Sequence, residues 1–295
     1  MWYLQESNQG HKDFQSFALP TELRYQPFEG AKLSIFYFLV QITFNFLLIK
    51  CHSYLCCVIE EEIFVLDVGN THVKAGRFKN CQLIDAKRMS PSEFKDYDWK
   101  DKVLILANVS QPEILNFLQS KAKKIVEINT SFRAAFTSNY TSSDTLGIDR
   151  FCNVEAMAIS NVEGNLLCVD AGTCLKFDFL DATHVYCGGS ISPGIDLRFK
   201  SLYDYTARLP LIRKEFYERL IGDSTKEAIL SGVMKGVEAE ILQRISWYEE
   251  QFPDLTIFVT GGDACYFDFH QKSNIFADEN LTLKGIFSIY SRYAN

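Results

Sequence analysis

Three short segments hold residues whose types and spacing could do chemistry. "DVGNT" (Asp67 to Thr71) ends a short apolar run, "IFVL", on a carboxylate followed by Gly, Asn and Thr, and Lys74 lies seven residues past the Asp. At the mouth of a nucleotide cleft such a carboxylate holds Mg2+ directly or through water. Gly69 lets the backbone approach phosphate oxygens without a Cβ in the way, Asn70 and Thr71 donate hydrogen bonds, and Lys74 supplies positive charge. The same residues also read as a plain hairpin turn, because Asp, Gly and Asn suit turns on backbone grounds alone. "VDAGT" (Val169 to Thr173) repeats the pattern with Asp170 and Thr173, and two such turns after buried strands are harder to explain as hairpins than one. "GIDR" (Gly147 to Arg150) sets Asp149 and Arg150 side by side. There an Asp can take the proton of a substrate hydroxyl attacking phosphorus, and an Arg can bind a carboxylate through its planar fork. The plainer reading is a helix-start Asp and a solvated Arg. A further glycine cluster, "VTGGDA", suits a base or ribose packed on backbone beside a helix N-terminus, or a simple strand-to-helix turn.

The elements that would position these residues follow from periodicity. "EIFVLDVG", "HVKAGRFKN" and "CQLIDAKRM" are β-rich runs broken by turn residues, as in a three-stranded meander. "VLILANVS" is a buried strand, "QPEILNFLQSKA" has helical spacing with Pro112 in its first turn, and "KKIVEINT" is another strand. "GIDRFCNVEAMAISN" is a loop entering a helix. The second half repeats the order. "NLLCVDAGTCLKFDFLD" and "HVYCGGSISPG" give three strands, and helices are expected from Ile195 to Arg208 and from Ser224 to about Gln251. "LTIFVTGGDA" is a buried strand, and "LTLKGIFSIYSRY" is a closing helix. Two similar α/β halves, 62–163 and 164–295, with a cleft between them are therefore expected.

Composition sets limits on function. The chain has 295 residues, 47% hydrophobic and 23% charged, with a net charge of -7, so no general basic field exists to attract nucleic acid. The nine cysteines form no C-x-x-C pair, and His does not cluster at metal spacing, which points to reduced thiols in a cytoplasmic protein and away from zinc. Residues 1–61 differ from the rest. Their apolar stretch, Leu33 to Ile49, is interrupted by Gln41, Thr43 and Asn45 and is short for a membrane span. A membrane anchor, an added packing element and sequence upstream of the true start are the alternatives. The third is favoured: an extension outside the fold, with no membrane expected.

Taken in order, "DVGNT", "LGIDR" with Tyr140 ahead of it, "VDAGT", "GGSISPGIDL", "TARLP", "GDSTKEAILSGVMKG" and "TGGDA" resemble the type III pantothenate kinases, from about residue 62 onward. The resemblance implies two ribonuclease-H-like halves of the acetate and sugar kinase, Hsp70 and actin superfamily, with ATP in the cleft between them. It implies phosphorylation of pantothenate at the first step of coenzyme A synthesis, in a homodimer with substrate sites near the subunit interface. By resemblance, Asp67, Val68, Gly69, Asn70, Thr71, His72, Val73 and Lys74 form the ATP phosphate loop, with Asp67 on the Mg2+ side, and Thr173 is a further ATP contact. Tyr140, Gly147, Ile148, Asp149, Arg150 and Thr225 bind pantothenate, with Asp149 as proton acceptor and Arg150 on the carboxylate. Asp170 is implied as ligand of a monovalent cation, K+ or NH4+. The alternatives are a kinase of the same fold acting on another small hydroxylated substrate, and a non-catalytic accessory or regulatory relative.

Overall fold

A computed structural model describes residues 62–69, 72–108, 112–269 and 274–294. The segment 1–61 with its apolar stretch, and Asn70 and Thr71 of the first turn, lie outside the described residues.

The first sheet is the expected meander with two parallel strands added. Strands β1 (Ile63–Val68), β2 (Val73–Lys79) and β3 (Gln82–Met89) run antiparallel, and β4 (Val103–Asn108) and β5 (Lys124–Glu127) continue parallel to β1, in the order β3-β2-β1-β4-β5. The β2–β3 hairpin turns on Asn80 and Cys81, whose φ values of 49° and 62° are the positive pair that a two-residue turn needs to match strand twist. Along β1 the alternation is sharp. Phe64, Leu66 and Val68 point outward and join Phe94, Trp99 and Leu118 in one cluster under α1 (Pro91–Asp96) and α2 (Pro112–Gln119). Asp67 therefore points to the inner face. Helix α1 went unread in the sequence although "SPSE" spells a capping box. Ser90 accepts from the Glu93 amide, and the Glu93 carboxylate accepts from the Ser90 amide.

The second sheet contains β6 (Thr137–Ser138), β7 (Asn165–Ala171), β8 (Cys174–Leu180), β9 (Val185–Pro193), β10 (Leu255–Thr260) and β11 (Ile275–Ala277). Its order, β11-β10-β7-β8-β9-β6, repeats the first sheet when read from β9 to β11, and β6 adds an edge. Two ribonuclease-H-like halves are thus built on one plan. The outer face carries Leu167, Val169, Leu175 and Phe177 against α4 (Ile195–Asp204), α5 (Thr225–Leu230) and α6 (Gly236–Gln251). The long helix expected from Ser224 to about Gln251 runs unbroken from Thr225 to Gln251, with a π turn over Ser231–Lys235 joining α5 to α6. The inner face of β7 and β8 carries Asp170, Lys176 and Asp178.

Between the two inner faces run α3 (Ile148–Ala158) and α7 (Leu281–Ala294), packed on each other. Helix α3 precedes the boundary expected at Glu163–Gly164 yet packs on β7 and β8, whereas α7, last in sequence, packs on β1 and β4. Phe78 of β2 stacks on Phe287 of α7, with ring centroids 4.2 Å apart and planes 5° from parallel. The helices cross closely because Gly285 has no side chain: a Cβ there would lie 1.8 Å from the Cys152 carbonyl oxygen.

Candidate active site

Two of the three functional carboxylates stand at matching places in the two halves, and α3 brings the third. Asp67 is next to last in β1 and Asp170 next to last in β7, each on the inner face of its sheet. Asp149 lies in the first turn of α3, after the N-cap Gly147. Burial, followed by the charges of Asp149 and Asp170, pushes the Asp67 carboxyl up to about 7. Asp149 and Asp170 are thus within electrostatic reach of Asp67.

One ammonium ties the second and third acids together. Lys176 Nζ lies 2.5 Å from Asp149 Oδ2 and 2.6 Å from Asp170 Oδ2. Burial works against its charge, but Asp170 and Asp149 outweigh it and raise its pKa. Burial likewise opposes the charge on Asp149. Lys176 and the Arg150 amide, which donates to Oδ1 at 2.8 Å, reverse this and hold Asp149 below the usual carboxylate range. Lys176 was not picked out from the sequence.

The first turn is partly a structural device. Val68 and Val73 are buried in the outer core and can face a ligand only through their main chain, and the Gly69 amide donates to the His72 carbonyl at 3.1 Å, closing the loop. His72 is exposed, with Nδ1 3.0 Å from Arg88 of β3. Burial and the cations Arg88 and Lys214 depress the His72 pKa. Lys74, directly across from Asp67 in the β1–β2 ladder, donates to the main-chain oxygen of Glu279 just before α7. In the second half, Thr173 sits at the exposed tip of the β7–β8 turn.

The glycine cluster closes over Asp170. Gly261 has φ +95°, and a Cβ there would lie 2.2 Å from the Ala171 oxygen and 2.6 Å from Asp170 Oδ1. At Gly262 a Cβ would lie 2.5 Å from Arg88 Nη1, so Arg88 reaches from the first half to the glycine loop of the second. Asp263 pairs with Lys214 at 2.7 Å, and Lys214 also pairs with Asp196 at 2.6 Å. Arg88 adds positive charge to this end of the cleft, Lys214 offsets its two carboxylates, and both were likewise missed in the sequence.

Arg150 is not the solvated arginine of the plainer reading. It is 4% exposed; its Nε and Nη2 donate to Asp178 Oδ1 at 2.9 and 2.7 Å, and Nη2 also donates to the Tyr186 hydroxyl at 2.8 Å. Its Nη1 lies 3.5 Å from the Tyr140 hydroxyl, with the Tyr140 ring centroid 5.5 Å from the guanidinium carbon. Tyr140, Gly147, Ile148, Asp149 and Arg150 are thus assembled around the start of α3. Thr225 is not among them. It is exposed at the start of α5, and α5 packs Ile229 and Leu230 on the outer face of the second sheet, opposite Asp170 and Lys176. Of the two Asp170 oxygens, Oδ2 is paired with Lys176 and Oδ1 lies beside the glycine loop.

Among the described residues no group of three or more His, Cys, Asp or Glu side chains is disposed to hold a metal ion by itself, and no helix is long and apolar enough to cross a membrane. A Mg2+ ion carried in on a nucleotide takes only one or two protein carboxylates and needs no such group.

Comparison with known proteins agrees with this geometry. The family model for type III pantothenate kinase matches residues 63–246. The type III pantothenate kinase of Christiangramia forsetii is 35% identical over 230 residues, covering 75% of this chain and 95% of the relative. That of Flavobacterium psychrophilum is 36% identical over 236 residues, covering 77% and 98%. A Baf family protein from Campylobacter jejuni shares the fold, with a TM-score of 0.52 and 21% identity over 79% of this chain and 99% of the solved one. With its duplicated sheets, its paired Asp turns and these relatives, the chain belongs to the type III pantothenate kinase family.

Proposed function

We propose that this chain transfers the γ-phosphoryl group of ATP to the hydroxyl of pantothenate, at the first step of coenzyme A synthesis. The observation that carries this reading is the pairing of Asp149 and Asp170 through Lys176, with Asp67 on the facing half within electrostatic reach of both. A plain pair of hairpin turns has no reason to aim carboxylates at each other, since crowding them raises the cost of ionising one.

Asp67 and the main chain after it would hold Mg2+ and the phosphates; the ion bound with ATP would neutralise charge as the phosphoryl group moves. Lys74, Arg88 and Lys214 are placed to meet the phosphate tail, and Thr173 and the Gly261–Gly262 loop to meet the rest of the nucleotide. Asp149 is held ionised by Lys176 and accepts the proton of the pantothenate hydroxyl. Its lowered pKa makes it a weak base, so it orients the hydroxyl first and takes the proton late, once bonding to phosphorus has acidified it. Arg150, fixed by Asp178 and Tyr186, offers its Nη1 edge together with the Tyr140 hydroxyl to the substrate carboxylate. Lys176 already sets a cation against Asp170, and no step here depends on an external monovalent ion.

A homodimer accounts for Thr225. The side of the second half that carries α4 and α5 exposes Tyr205 (88%), Phe216 (71%), Leu220 (78%) and Ile221 (78%). A second copy covering this side would bring Thr225 to the partner's pantothenate. A cytoplasmic location suits a protein that uses ATP and has no disulfide among its described cysteines.

The direct test is isotope transfer from labelled ATP to pantothenate by the purified chain. Parent protein should label pantothenate, and Asp149→Asn should still bind ATP while losing turnover by roughly two to four orders of magnitude. Labelling of another small alcohol in preference to pantothenate would replace the substrate, and near-normal turnover in Asp149→Asn would remove Asp149 from its role. Light scattering should give twice the chain mass; a monomer at micromolar concentration would leave Thr225 without a site.

A further inference from the structure

We propose that Lys176 is a built-in monovalent cation. Its ammonium stands beside Asp170 where the family resemblance implies K+ or NH4+, and it makes phosphoryl transfer in this chain independent of any added monovalent ion. The inference rests on the kinase reading above for its activity arm but not for its structural arm.

Backbone register is the first support. Asp170 and Lys176 are direct cross-strand partners in the antiparallel β7–β8 ladder, so their Cβ atoms leave the sheet on one face, close together. The face is fixed by the neighbours of Lys176, since Leu175 and Phe177 are 1% and 0% exposed in the outer core. Turning Lys176 away from Asp170 would require slipping the strand by one residue and moving that core into the cleft. The first half repeats the arrangement, with Lys74 across from Asp67. There, however, the lysine reaches the main-chain oxygen of Glu279 and not the functional carboxylates.

Occupancy of the carboxylates is the second support. Nζ lies within hydrogen-bond distance of both Asp170 Oδ2 and Asp149 Oδ2, and the three side chains are only 12–24% exposed. The remaining oxygen of Asp170, Oδ1, lies beside Gly261, so the pairing of Oδ2 with Lys176 is the contact that any external cation has to meet. An external cation seated on Asp170 would displace the lysine or share the carboxylate with a like charge at close range.

The chemistry matches as well. A lysine head is an ammonium ion on a four-carbon tether, with the charge and hydrogen-bonding capacity of NH4+. Tethering replaces a binding equilibrium by a fixed local concentration, so saturation with salt is no longer needed. The ammonium also supplies what a monovalent ion beside the site would supply. It neutralises Asp170, keeps Asp149 ionised and places positive charge next to the transferring group.

The test uses the whole chain and two readouts. Pantothenate phosphorylation with MgATP is measured at one ionic strength in K+, NH4+, Na+ or tetramethylammonium chloride. The parent rate should agree within about twofold across all four salts; a rate in tetramethylammonium below a tenth of that in K+ overturns the proposal. Lys176→Ala should lose on the order of a hundredfold in tetramethylammonium and recover at least about tenfold of that in NH4+ or K+. Loss without recovery, or no loss, also overturns it. The second readout is melting temperature in the same salts. Lys176→Ala should melt higher in NH4+ or K+ than in tetramethylammonium, and the parent should show no such difference. A salt-dependent parent, or a salt-indifferent variant, counts against the built-in cation even if the phosphorylated substrate proves to be another alcohol. Absence of phosphorylation in every salt, with the melting pattern as expected, would count against the kinase reading alone.

Discussion

Asp67→Asn should make the nucleotide-free protein more stable while destroying its activity. The substitution is nearly isosteric, and Asn suits a turn as well as Asp does. What it removes is a charge that the fold holds at a cost. The Asp67 carboxyl is pushed up to about 7 by burial and by Asp149 and Asp170, against about 4 in an unfolded chain. Between those two values the native state binds the extra proton, so this group makes stability fall as pH rises from about 4 to about 7, after which the deficit is constant. Integrated, the deficit is at most about 1.5 kcal/mol at pH 5 and about 4 kcal/mol at pH 8. Asn has no such deficit. The variant should therefore melt above the parent by several degrees at pH 8, a gap that narrows toward pH 5, at roughly 2 to 4 °C per kcal/mol for a fold of this size. MgATP turnover should fall on the order of a hundredfold or more, because the carboxylate on the metal side is gone. Scanning calorimetry across pH 5 to 8 without nucleotide, paired with steady-state kinetics at pH 8, separates the outcomes. A variant that melts below the parent at pH 8, or a gap that does not narrow on acidification, refutes the charge-crowding argument. Full activity returns the first turn to an ordinary hairpin.

Gly285→Ala must push α3 and α7 apart, since its Cβ would meet the Cys152 carbonyl oxygen at 1.8 Å. A loss of about 1–3 kcal/mol in urea unfolding is expected, and a change within ±0.5 kcal/mol would mean that the crossing is looser than described. Gly261→Ala combines a φ of +95° with a Cβ 2.6 Å from Asp170 Oδ1. It should raise the KM for ATP and lower kcat together, and unchanged kinetics would detach the glycine loop from the site. Asp178→Asn leaves the Arg150 guanidinium without its counter-charge. It should raise the KM for pantothenate severalfold with a smaller change in the KM for ATP, and an equal rise in both would place Arg150 outside pantothenate binding.

The parts of the fold legible in the sequence are those with local causes. The β1–β3 meander shows because period-two runs are punctuated by turn residues, and the two Asp-x-Gly turns show because their chemistry lies within five consecutive residues. The duplication follows from seeing the second turn as a copy of the first. What stayed hidden depends on pairing across distance. Lys176 gains its meaning only from facing Asp170 across a hairpin, although aligning the halves would have exposed it, since Lys74 faces Asp67 in the same way. Arg88 reaches the glycine loop from a strand more than 170 residues away in sequence, and no local pattern announces that. The burial of Arg150 was not legible because Asp178, which pairs with it, lies two strand positions past Lys176 on the same face of a distant strand. The two-residue β6 and three-residue β11 are too short to leave a period. The π turn falls within an unbroken helical pattern and has no sequence signal that we can identify.

The exchange of helices between the halves has a consequence for how the protein is made. Asp67 lies on a sheet face covered by α7, more than 200 residues later in the chain, so the wall behind this carboxylate is the last element described. During synthesis the β1–β5 sheet emerges early and waits with one apolar face bare until α7 has left the ribosome. Contacts of such long sequence separation fold slowly and expose sticky surface meanwhile. Neither half should be obtainable alone as a stable fragment, and a chain shortened before Leu281 should fail in its N-terminal half first.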